Sequence, residues 1–186
     1  MIVWGGYSSA FAFPTPTKSY RADAARYQPA SDSWIALPTT NAPSPRRDAA
    51  AVWTGSEVFV WGGYDGAVNQ KTGARFNPAN NTWTATETNA APVQRNGHAA
   101  FWDGSHVIVW GGRNSSGPLN DGGRYDPLTD AWTLTPFGSV RALTGNAIVW
   151  TGAQMITVGG VDSNGKYYND NFAYTPPRTV YLYLRP

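Results

Sequence analysis

Cysteine is absent from the 186 residues, which removes disulfides, thiolate metal sites and cysteine nucleophiles together. The same absence suits an oxidising or a reducing compartment, so it does not locate the protein. Lysine and glutamate are scarce: Lys18, Lys71 and Lys166, then Glu57 and Glu87. A chain so short of the residues that fill exposed helix faces does not read as a helix bundle. Charged residues are only 14% of it, and the formal net charge is +2. That charge is too small to argue for nucleic acid, no lysine-rich run exists, and no nucleic-acid partner is expected. No apolar run approaches the roughly 18 residues of a membrane span. The opening Met1-Ile2-Val3-Trp4-Gly5-Gly6 has no basic region and does not read as a signal peptide.

What is abundant points to strands. There are 9 Trp, 10 Tyr, 7 Phe, 20 Gly and 14 Pro, a mixture that favours strands and tight turns over disorder. These residues recur. Gly pairs end short apolar runs at Gly5-Gly6, Gly62-Gly63, Gly111-Gly112 and Gly159-Gly160. An aromatic recurs every 49 residues, at Tyr27, Phe76, Tyr125 and Tyr174. A proline follows each by two, at Pro29, Pro78, Pro127 and Pro176. A tryptophan follows by seven, at Trp34, Trp83 and Trp132, with Tyr181 in the fourth unit. An arginine precedes the aromatic at Arg26, Arg75 and Arg124.

Each unit divides into four short strands. In residues 48–88 these are Ala49–Thr54, Glu57–Trp61, Gly73–Asn77 and Thr82–Thr88. A Gly-Ser turn joins the first two, and a Pro-Ala-Asn-Asn turn joins the last two. In the second strand Val58 and Val60 face one way, Phe59 and Trp61 the other. Both sets are apolar, so the strand needs cover on both sheet faces. A four-stranded unit repeating at roughly 40–50 residues implies an all-β fold built of propeller blades.

These residues resemble the kelch repeat. Val60-Trp61-Gly62-Gly63, Arg75-Phe76-Asn77-Pro78 and Asn81-Thr82-Trp83 carry the likeness in one unit. Val109-Trp110-Gly111-Gly112, Arg124-Tyr125-Asp126-Pro127 and Asp130-Ala131-Trp132 carry it in the next. Arg95-Asn96-Gly97-His98-Ala99-Ala100 is similar to the start of a kelch inner strand. The wording is similar to that of bacterial kelch proteins, and a secreted or cell-surface setting is favoured. The resemblance implies a kelch-type β-propeller of about four blades over residues 1–186. Blade one spans 2–37 and lacks its inner strand, blade two spans 48–88, blade three 97–137 and blade four 144–184, 15 strands in all. Pro177 and Tyr181 depart from the pattern in blade four. Kelch rings close with more blades than this, so the chain is expected to be the C-terminal part of a six- or seven-bladed ring; a homodimer closing one ring from two partial ones, or a distorted four-blade ring, is the alternative. Open end blades are expected to make it self-associate.

Catalytic constellations are few. His98 sits at an inner-strand start and reads as structural; His106 follows a turn and reads as solvated. Two histidines on different elements make no metal site. Neither Gly-x-Ser-x-Gly nor a phosphate loop occurs, and Glu57 and Glu87 are not placed as a pair. Kelch-type copper oxidases need a tyrosine–cysteine crosslink, which a chain without Cys cannot form. The active site of the kelch-like sialic-acid isomerases maps onto no residue set here. No catalytic residue, metal or cofactor is therefore expected.

The arginines at the repeat period, Arg26, Arg75 and Arg124, read as structural, stacking on a Trp or pairing across blades. Arg46, Arg95 and Arg141 precede inner strands. The residues after the Gly pairs, Tyr7, Tyr64, Asp65, Arg113, Asn114, Val161 and Asp162, read as loops at one face. By resemblance to kelch adaptors, Tyr7, Arg47, Tyr64, Asn96 and Arg113 form a partner-binding face. Arg and Tyr are also common binding anchors. The long stretch from Ser8 to Ala24, with Phe11, Phe13, Tyr20 and Arg21, reads as a binding loop or as a cap over the place of the missing strand. The expectation is a non-catalytic module that binds a protein or peptide. Carbohydrate binding, or sugar hydrolysis or isomerisation, is the alternative, and a structural repeat segment of a secreted or surface protein is a third.

Overall fold

Short strands that are apolar on both faces cannot be satisfied by one sheet, so sheets must stack. The computed structural model of the chain, which describes residues 1–10, 17–135 and 141–176, shows how. The first sheet holds β1 (Ile2–Ala10), β2 (Thr17–Gln28) and β3 (Ser33–Ala36). The second holds β4 (Ala50–Trp53), β5 (Val58–Trp61), β6 (Gly73–Asn77) and β7 (Thr82–Ala85). The third begins with β8 (Ala99–Trp102) and β9 (Val107–Trp110). A two-residue hairpin of β10 (Arg113–Asn114) and β11 (Gly117–Pro118) interrupts it before β12 (Gly122–Asp126) and β13 (Ala131–Thr135) complete it. The fourth holds β14 (Ala147–Trp150), β15 (Met155–Val161) and β16 (Tyr167–Tyr174). Neighbouring strands run antiparallel throughout. The chain is an all-β partial propeller of about four blades.

Two sequence expectations need correction. The stretch from Ser8 to Ala24 is not a loop where it is described. There β1 and β2 run on as a long hairpin, pairing Tyr7 with Tyr20 and Ala10 with Thr17. Ladder hydrogen bonds use backbone groups, so polar and small residues extend a strand once a partner lies alongside. The hairpin β10–β11 was also not anticipated. Phe11, Phe13, Pro177, Tyr181 and the end of blade four from residue 177 to 184 lie outside the described residues.

Stacking buries the blades pairwise. Val60, Ala74, Phe76 and Trp83 of the second blade pack on Ala24 and Leu37, with Ile2 and Trp4 beside them. Phe59 and Trp61, on the opposite face of the same sheet, pack on Val107, Val109, Tyr125 and Trp132 of the third. Burying each such side chain contributes about 1.5–3 kcal/mol. Phe101 stacks on Trp150 and Trp110 on Tyr174, joining the third blade to the fourth.

Polar links repeat with the same period. The Trp83 indole donates to the Pro38 carbonyl and the Trp132 indole to the Glu87 carbonyl, each at 2.9 Å. Arg75 pairs across blades, as its recurrence implied, and the ring it faces is a tyrosine rather than a tryptophan. Its Nη1 donates to the Pro127 carbonyl at 2.8 Å, and its guanidinium lies 5.9 Å from the Tyr125 ring centre.

The Gly pair has a steric cause. Gly62 and Gly63 sit at φ +69° and +101°, where side chains are disfavoured. A Cβ on Gly63 would stand 2.8 Å from the Arg47 carbonyl oxygen. The pair thus lets the segment before β4 close on the loop that leaves β5, and that closure builds the site described next.

Candidate functional site

Buried arginines fix one end of the propeller. Arg95 is fully buried. Its Nε donates to the Val93 carbonyl at 3.0 Å, and its Nη1 to the Gly111 and Asp121 carbonyls, each at 2.9 Å. Its Nη2 meets Asp121 Oδ1 at 2.8 Å. Arg46, one period earlier, bonds the Ser44, Gly62 and Thr72 carbonyls in the same way. Arg141 does not join this series. It is exposed, beside Asp170 and 4.2 Å from the Tyr168 ring centre, and buried Leu143 takes the equivalent station.

Each buried arginine sets the residue after it against the loop beyond a Gly pair. Arg47 and Tyr64 exchange backbone hydrogen bonds of 3.0 and 2.9 Å, and Asn96 and Arg113 exchange two of 3.0 Å. A rigid ladder rung therefore holds each pair of candidate residues. Thr144 and Val161 make the third such rung.

Around these rungs lies a cleft of about 810 Å³. Arg47, Tyr64, Asn96 and Arg113 all line it. Tyr7 joins them through its neighbours: its ring stacks on Tyr20 at 6.2 Å, and the Arg47 guanidinium lies 5.3 Å from it. The same guanidinium lies 5.3 Å from the Tyr64 ring, which meets Tyr20 edge-on. The structure thus brings the five candidate residues together, with one change of setting. Tyr7 stands on β1 rather than on a loop. Val161 ends β15, and Asp162 accepts from the Asn164 and Lys166 amides to close a separate turn.

Arg47 also pairs with Asp48 at 2.5 Å. Its proton is held above the ordinary arginine value, first by the Tyr20 side chain, with Asp48 adding to the effect and slight burial opposing it. Asn96 donates its side-chain amide to Asn69. Asp65 fixes the loop between them, accepting from the Ala67 and Val68 amides at 2.8 Å. Those amides, Val68 first, hold its carboxyl below the usual range. Arg113 is exposed and makes no ion pair among the described residues. The lining carries Lys18, Arg47 and Arg113 against Asp48, so the cleft is rich in cationic donors.

Sequence reasoning did not pick out Lys18, Asn69 and Gln94, which also line the cleft. It placed Tyr20 on a loop, although its seat is the backbone of Gly66, where a Cβ would stand 2.6 Å from the ring. That missing Cβ was the one available signal. His106 is not solvated. It lies 2.8 Å from Ser105 Oγ and 3.1 Å from Arg124 Nη2, and is largely enclosed. His98 is buried edge-on against Trp61. Desolvation, with Arg95 nearby, pushes its pKa down to about 3. Neither histidine lines the cleft, and among the described residues no three His, Asp or Glu side chains converge.

Among the described residues no helix is long and apolar enough to cross a membrane. No curated protein matches the sequence. The family model of the KLHDC2/KLHL20/DRC7 Kelch-repeats domain matches residues 1–185. That match spans every blade and both buried arginine stations, and the chain therefore belongs to the Kelch-repeat family.

Proposed function

We propose that this chain, a member of a family whose propellers generally serve in protein interaction, is a non-catalytic recognition module that binds a protein or peptide in the cleft at one end of the disc. The convergence of Arg47, Tyr64, Asn96 and Arg113 on that cleft, with Tyr7 packed behind Arg47, carries the reading. Tyrosine rings supply broad contact at low entropic cost, and an unpaired arginine supplies several directed donors. The rungs hold these groups in place before any partner arrives, which favours binding.

The test is a random-peptide display library panned on the wild-type chain and on the double variant Tyr64→Ala, Arg113→Ala. Sequences enriched on the wild type and lost on the variant, at an unchanged melting temperature, support the assignment. Enrichment that survives the double substitution overturns it, as does the absence of any enrichment.

A further inference from the structure

Acids and bases around the cleft are spent differently. The carboxylates are engaged within the chain. Asp48 pairs with Arg47. Asp65 accepts from the Ala67 and Val68 amides at 2.8 Å and from Gln70 Nε2 at 2.7 Å. Asp121 is taken by buried Arg95. Two of the three lining cations are not engaged. Lys18 and Arg113 are both exposed, and neither side chain meets an acceptor among the described residues. The neutral amides lean the same way. Asn96 donates to the Asn69 side-chain oxygen, which leaves the Asn69 NH2 to donate elsewhere. The Asn114 oxygen accepts from the Ser116 amide at 2.8 Å, which leaves its NH2 free in the same sense. Lysine and arginine carry donors and no acceptor, so what the cleft holds out to a ligand is an excess of donors with two uncompensated positive charges.

Lys18 stands on β2 of the first blade and Arg113 on β10 beside the third, with Arg47 and Tyr64 of the second blade between them. Arg47 supplies shape rather than charge, because Asp48 neutralises it and its guanidinium lies against both the Tyr7 and Tyr64 rings. We propose that the partner presents an acidic segment in extended form, whose side-chain carboxylates meet Lys18 on one side of the cleft and Arg113 on the other. The inference rests on the reading of the cleft as a peptide site and names the chemistry that the site selects. Cations on two different blades call for more than one carboxylate, and an extended chain supplies them on alternate residues of one face. Its intervening side chains then find Tyr64 and Val68, the latter 58% exposed. A neutral segment leaves both cations without a counter-charge, and a basic one adds like-charge repulsion.

The probe is a peptide of alternating Glu and Thr, about twelve residues and about 40 Å long when extended. It is acetylated, amidated and labelled with a neutral fluorophore, so that only its side chains carry charge. Fluorescence anisotropy compares it with a Gln–Thr peptide of the same length. The Glu peptide is expected to bind the wild type more tightly, and to weaken as salt rises. Lys18→Gln and Arg113→Gln are each expected to raise its dissociation constant about tenfold, through the loss of one charge-assisted contact. Asp48→Asn removes the carboxylate that lines the cleft and is expected to lower it about threefold. Asp48 sits at φ +55°, a conformation that asparagine adopts readily, so the fold is kept. Melting temperatures show that each variant is folded. Equal affinity for the Glu and Gln peptides overturns the proposal, as does no binding of either. So do Lys18→Gln and Arg113→Gln variants that both bind like the wild type, or binding that needs a free C-terminal carboxylate. Where the neutral peptide binds equally and the Tyr64→Ala, Arg113→Ala variant releases it, the acidic partner falls and the reading of the cleft as a peptide site stands.

Discussion

Replacing Arg95 by methionine tests the account of how this end of the propeller is held. The substitution keeps a long apolar side chain but removes a guanidinium that makes four hydrogen bonds. Three carbonyls lose a donor, and the largely buried Asp121 carboxylate loses its counter-charge. Breaking a buried ion pair from one side costs about 3–5 kcal/mol. A domain of this size has about 5–15 kcal/mol in total and loses roughly 2–4 °C of Tm per kcal/mol. The expected fall is therefore roughly 6–20 °C. Arg46→Met supplies the contrast. Arg46 faces carbonyls and the Ser44 and Thr72 hydroxyls, with no carboxylate bonded to it. Burial pushes its pKa down to about 10, so its charge is itself a cost. Losing it is expected to cost less, about 1–3 kcal/mol. Thr72→Asp, which copies Asp121 one period earlier, is expected to stabilise by about 1 kcal/mol through a charge-assisted bond. Urea unfolding with unchanged m-values is the assay. Equal losses for Arg46→Met and Arg95→Met, or a destabilising Thr72→Asp, would refute the reasoning.

Acid sensitivity follows from His98. Its ring nitrogens lack a well-formed hydrogen bond, the Trp61 backbone offering only a weak one that opposes the downward shift. The unfolded state takes up a proton near pH 6.5 and the folded state only near 3, so stability is lost as pH falls through that window. The loss is about 2 kcal/mol by pH 5, and His98→Leu is expected to remove it; a wild-type urea midpoint that is the same at pH 7 and pH 5 would count against this. Gly63→Ala is expected to cost more than Gly6→Ala. Both glycines have positive φ, but only at Gly63 does a Cβ meet backbone, while at Gly6 nothing lies within 4 Å. The difference is about 1–3 kcal/mol, and chemical unfolding of the two variants side by side measures it.

The blade pattern was legible because each of its stations has a local cause. A Gly pair marks positive φ, and a strand apolar on both faces marks stacking. A Trp at fixed distance marks the carbonyl it reaches in the blade before. The hairpin that extends β1 and β2 was not legible, because its register comes from the partner strand and not from Thr17–Ala22 itself. Tyr7, Arg47, Tyr64, Asn96 and Arg113 could be named from their places in the repeat. Lys18 and Gln94 could not, since only the three-dimensional path of β2 and the segment before β8 brings them to the same cleft. His106 misled for a similar reason: the arginine that encloses it comes from another strand.

The rungs between Arg47 and Tyr64 and between Asn96 and Arg113 have a calorimetric consequence. A surface whose backbone is already bonded into the sheet ends undergoes little coupled folding when a ligand arrives. Binding there is expected to show a small heat-capacity change for its contact area. It should also leave the amide exchange of those four residues nearly as slow without ligand as with it.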